Sequence, residues 1–154
     1  MNNENICFVI APIGKPESDT YRRSKQILNH IIRPTVKLKG FTAVRADEIS
    51  EPGLISTQVT QYIIDAPLVI ADLTGHNANV FYELAIRHAI RKPLIQLIDE
   101  NDQLPFDVVN TRTIKINHND LDSVEAAKEQ IIAQIEASTQ NNLRVDNPIS
   151  VAID

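Results

Sequence analysis

Residues Ile6–Ala11 read ICFVIA, apolar at every position, between Asn5 and Pro12. A strand with one wet face alternates apolar and polar residues, so a continuous short run marks a strand covered on both sides. Pro67–Ala71 (PLVIA) and Pro93–Ile98 (PLIQLI) add two more strands. Between the strands lie stretches with helical spacing. From Tyr21 to Leu38 the residues Ile27, Leu28, Ile31, Ile32, Thr35, Val36 and Leu38 fall on one helix face, with Pro34 expected to kink or tighten it near Ile32 and Gly40 to stop it. Strand 2 follows at Phe41–Ala46, then a turn at Glu51-Pro52-Gly53 and a helix facing inward through Ile55, Val59 and Ile63. A third helix is predicted at Val80–Arg91. After a loop through Leu104-Pro105-Phe106, a fifth strand is predicted at Thr111–Ile116 and a last helix at Leu121–Ala137.

Alternating helices and two-sided strands admit few folds. The pattern predicts an α/β, Rossmann/flavodoxin-like three-layer sandwich with a five-stranded parallel sheet in the order 2-1-3-4-5. At 154 residues the chain fits one domain, residues 1–140, with an Asn-rich C-terminal tail at 141–154. A net charge of −5 argues against broad binding to DNA or RNA. The one cysteine, Cys7, lies in an apolar run and reads as a core residue, so no disulfide framework exists. ICFVIAP is too short to cross a bilayer, and Met1–Asn5 lacks the positive start of a signal peptide. The expectation is a cytoplasmic protein without membrane contact.

In such sheets ligands bind beyond the carboxyl ends of the strands, at the switch point between strands 1 and 3. That rule selects Pro12, Ile13 and Gly14 after strand 1, Arg45 and Asp47 after strand 2, and Asp72, Thr74, Asn77 and Asn79 after strand 3. Glu83 follows on the next helix, where apolar residues cover most of the circumference and Glu83 and Arg87 share a narrow polar strip. One reading is an exposed i,i+4 pair worth a few tenths of a kcal/mol. The other is a charged strip facing a pocket. With Asn79 as N-cap, the helix dipole favours an ionised Glu83, and an ionised carboxylate in a pocket can attack a sugar's anomeric carbon. Asp72 reads either as a cap for the following backbone or as a catalytic residue beside Glu83 that binds ribose hydroxyls or transfers a proton. Arg45 and Asp47 read as a surface ion pair or as ligand contacts. Arg22, Arg23 and Lys25 near a helix start read as a solvated basic face or, for the arginines, as a phosphate site. His30, His76, His88 and His118 show no metal-ligand spacing, and there is no Walker or GxGxxG motif, so no metal and no cofactor are expected.

The stretches CFVIAPIG, VRADEI and LVIADLTGHNANVFYELAIRHAIRKPLI resemble the nucleoside 2-deoxyribosyltransferase-like superfamily, more narrowly its bacterial TIR-like branch, from Cys7 to Ile98. The resemblance implies cleavage of an N-glycosidic bond by a helix-borne glutamate, here Glu83, with a nucleoside, nucleotide or NAD as small-molecule partner. It also implies a homo-oligomer, for which helix Ile55–Ile64 and Pro148–Ile153 offer apolar surface. Deoxyribosyltransferases carry an aspartate six residues before the glutamate, where this chain has Asn77. That departure favours an N-glycosidase that hydrolyses. The alternatives are a nucleoside 2-deoxyribosyltransferase, or a non-catalytic nucleotide-binding sensor or TIR-like interaction module.

Overall fold

The computed structural model describes residues 5–49, 53, 55–104, 112–138, 149 and 152. The sequence expectations at 51–52, Pro105–Phe106, Thr111 and most of 141–154 lie outside them.

Five parallel strands form one sheet in the order β2-β1-β3-β4-β5: β1 (Ile6–Ile10), β2 (Thr42–Arg45), β3 (Leu68–Asp72), β4 (Leu94–Asp99) and β5 (Thr113–Ile116). This is the Rossmann/flavodoxin-like α/β sandwich that the alternation predicts. β3 is buried at all five positions, as a central strand with helices on both faces must be. Cys7 pairs with Leu68 and Ile10 with Ala71, which sets the carboxyl ends of β1 and β3 side by side.

One face of the sheet is covered by a long helical rod and by α5 (Leu121–Ser138). The rod runs through α1 (Asp19–Gln26), a π-helical segment (Ile27–Ile32) and α2 (Arg33–Lys37). The other face is covered by α3 (Ile55–Asp65) and α4 (Ala78–Ile90), around Phe8, Ile10, Ile63, Val69 and Leu84.

The rod widens ahead of Pro34 where a kink or tightening was expected. Its buried residues come in pairs four apart: Ile27 with Leu28, Ile31 with Ile32, Thr35 with Val36. An α-helix advances about 100° per residue, so a stripe repeating every four drifts by about 80° over two repeats. A wider turn cancels that drift. It also removes the clash between the Pro34 ring and the carbonyl four residues earlier, since the Arg33 N–H bonds to Leu28 O, five back.

Candidate functional site

The chain leaves β1 onto one face of the sheet and leaves β3 onto the other, so a crevice opens between their ends. A cavity of about 180 Å³ lies there, lined by Pro12, Thr20, Arg23, Thr74, Gly75 and Asn77. Pro12, Thr74 and Asn77 are sequence candidates. Thr20, Arg23 and Gly75 are additions.

Arg23 organises this corner. Its Nη1 donates to Asp72 Oδ2 at 2.8 Å, and its Nε lies 3.7 Å from Asp99 Oδ2, buried and without a hydrogen-bond partner. Asp72 Oδ1 accepts from the Thr74 N–H at 3.1 Å and from the Thr74 hydroxyl at 2.6 Å. Three donors thus occupy a carboxylate that is only 1% exposed, and Asp72 holds the strand end rather than lining the cavity. The Thr74 hydroxyl also accepts from the Asp99 N–H at 2.9 Å. Beyond it, the Gly75 N–H donates to Asp102 Oδ2 at 2.7 Å, and His76 Nε2 meets Gln103 O at 2.6 Å. The loop after β3 is exposed yet stitched to the loop after β4.

The other candidates fall elsewhere. Arg22 is 65% exposed and pairs with Asp19 at 3.3 Å, so an acidic neighbour answers its conflict with the helix dipole. Arg45 is 3% exposed, a correction to the expected surface pair: it grips both Asp47 oxygens, at 2.7 and 2.9 Å, and donates to the Ser24 hydroxyl at 2.8 Å. That bidentate contact from Arg45 holds the Asp47 carboxyl below its ordinary range. Gly14 has φ +73°, and a side chain there would come within 2.9 Å of Ser18 Oγ and Thr20 Cβ. Gly14 therefore lets the loop after β1, including half-buried Ile13, close onto the start of α1. The helix after β3 starts earlier than expected. Asn77 is its N-cap, accepting from the N–H groups of Asn79 and Val80 at 2.9 and 3.2 Å, while Asn79 is exposed on the first turn.

With Asn77 as cap, Glu83 is the sixth helical residue, beyond the turn where the dipole is felt. Glu83 is half-buried, and no hydrogen bond or ion pair reaches it among the described residues. Burial without a partner pushes its carboxyl up to about 6, opposite to the ionising effect expected of the helix start. The exposed pair with Arg87 is not formed. Arg87 is fully buried and turned inward, donating to Ile63 O at 2.8 Å and Pro93 O at 2.9 Å. Glu83 is not among the residues lining the cavity at the switch point.

Arg23 was legible in principle. The stripe of buried pairs, extended one turn toward the N-terminus, falls on Arg23 and Ser24 and leaves Arg22 and Lys25 outside. Among the described residues, no three His, Cys, Asp or Glu side chains are placed to hold a metal ion, and no helix is long and apolar enough to cross a membrane. No protein-family model matches the chain, and no curated protein matches it.

Proposed function

We propose that this chain is an N-glycosidase that releases the base from a nucleoside, nucleotide or NAD, with Glu83 as the group that bonds to the sugar. The observation that carries the reading is a half-buried carboxylate without a partner. Burying an unpaired carboxylate destabilises a fold, and such groups persist where chemistry needs them. The resemblance of N-A-N-V-F-Y-E-L to the helix start of nucleoside 2-deoxyribosyltransferase-like enzymes supports the same residue.

A Glu83 oxygen attacks the anomeric carbon as the bond to the base nitrogen breaks. The electron pair leaves with the base: a purine or pyrimidine takes a proton from water, while the nicotinamide of NAD departs neutral from its pyridinium nitrogen and takes none. A second water then cleaves the glycosyl ester, releasing the sugar and restoring the carboxylate. With its pKa at about 6, Glu83 is roughly nine-tenths ionised at pH 7, so the nucleophile is available at neutral pH and lost below. The Asn77 carbonyl oxygen is engaged as a helix cap, and Asn77 brings no charge to fix sugar hydroxyls. Hydrolysis is thereby favoured over transfer to a second base.

The test is incubation with a panel of nucleosides, nucleotides and NAD, followed by chromatography for free base. Release is expected, falling on the acid side with a midpoint near pH 6 and abolished by Glu83→Gln, and an excess of labelled second base should not be incorporated. A Glu83→Gln protein that folds and turns over normally would refute the role.

A nucleotide-binding sensor without chemistry is the second reading, favoured by one observation: the cavity is lined by Arg23 and Asn77 and not by Glu83. It predicts ligand binding with no base release, unchanged by Glu83→Gln.

A further inference from the structure

We propose that the switch-point cavity is a base pocket that selects keto nucleobases, such as uracil and hypoxanthine, over their amino counterparts, with Asn77 deciding the selection. The proposal rests on the reading above that the site takes a nucleoside. At about 180 Å³ the cavity is smaller than the roughly 300–1,000 Å³ that a whole drug-sized ligand fills, so it holds one part of a nucleoside. Its side chains say which part. The N–H groups of Asn79 and Val80 fix the Asn77 amide with Oδ1 turned to the helix. Nδ2, a donor only, is left for the cavity that Asn77 lines. Arg23 also has donors only, and with Nη1 on Asp72 its Nη2 makes no hydrogen bond among the described residues. The Thr74 hydroxyl donates to Asp72 Oδ1 and accepts from the Asp99 N–H, so it adds no donor and keeps one lone pair. The exposed Thr20 hydroxyl can take either role.

The lining is thus weighted to donors, and a matching ligand edge presents acceptors. Ribose does not fit. Each of its hydroxyls also carries a proton to place, and the Asp72 carboxylate that could take one is already held by three donors. A phosphate does not fit either. Asp72 at 2.8 Å and Asp99 at 3.7 Å set two carboxylates against one guanidinium, and the excess negative charge repels an anion. Arg23 is therefore no phosphate site. An uncharged carbonyl oxygen meets both conditions. Uracil and hypoxanthine offer one where cytosine and adenine carry an amino group, whose protons would be turned against the Asn77 and Arg23 donors.

Titration calorimetry with uridine against cytidine, and inosine against adenosine, tests this on the unmodified chain and on Glu83→Gln, where turnover does not interfere. The keto member of each pair should bind about tenfold or more tightly, and inorganic phosphate should not displace it. Asn77→Asp keeps the helix cap, since Asp caps as well as Asn, but turns the donor into an acceptor. Circular dichroism should show this variant folded, and its preference should reverse toward cytidine and adenosine. Equal affinity within the pairs, displacement by phosphate, or a folded Asn77→Asp chain with unchanged preference would each overturn the pocket. Base release without keto preference would overturn it and leave the glycosidase reading standing. Keto-selective binding without base release would uphold the pocket and remove the glycosidase reading.

Discussion

Glu83 sets the residue scale. Its folded pKa of about 6 lies above the ordinary 4.5, so between those values the folded chain binds more protons than the unfolded one. The stability from protonated Glu83 is therefore complete below about pH 4.5 and lost as pH rises through 6. No ion pair reaches it among the described residues to offset the cost of burying its charge. Glu83→Gln should raise stability at pH 7.5 by about 1 kcal/mol, the full linkage value of about 2 being reduced for partial exposure, and should change little at pH 4.5. That corresponds to about 3 °C in Tm, measurable by thermal unfolding at the two pH values. Destabilisation at pH 7.5 would mean the carboxylate is held by favourable contacts. The position of this residue after an acid-ended strand was legible in sequence. Its titration was not, because that depends on how far tertiary packing buries the carboxylate without a partner. Asp72 shows the same limit: sequence places it at a strand end, and only the fold brings Arg23 from 49 residues away.

At the scale of elements, strands and helices were readable because their burial is two-sided or periodic, and each boundary fell within about two residues where described. The departure is the rod from Asp19 to Lys37. A proline inside a helical pattern suggests a kink, while the pairs repeating every four ask for a wider turn, and the second constraint won. Deleting Asn29, an exposed residue of the π segment, should test that. The shortened segment would close into an α-helix and rotate α2 by about 100°. Arg33 would then lose its contacts with Glu48 and with Ala43 O, and Thr35 and Val36 would leave the core. A loss of roughly 3 kcal/mol or more is expected from chemical denaturation. Asn29→Ala, which removes only a surface contact to Arg33, should stay within about 0.5 kcal/mol. A deletion as mild as the alanine variant would show that burial every four residues does not hold the wide turn.

For the whole molecule, strand order was legible because parallel crossovers leave few topologies. The pins across its top were not. Ser24 ties α1 to Arg45 at the end of β2, and Arg23 ties the same helix to Asp72 at the end of β3. Such links join residues far apart in sequence and carry no periodic signal. The sheet has a further consequence, for aggregation. Its outermost strands are four residues each, TAVR and TIKI, and each carries a cation, Arg45 or Lys115. Short charged edges give an incoming chain little to pair with, so the native state should resist strand-by-strand growth. The segments most able to stack into cross-β, CFVI and LVIA, occupy two of the three positions flanked by strands on both sides. The fold thus hides its own most adhesive stretches, and heating releases them together. Thermal unfolding should be irreversible, with an apparent Tm that rises with scan rate and little transition recovered on a second scan.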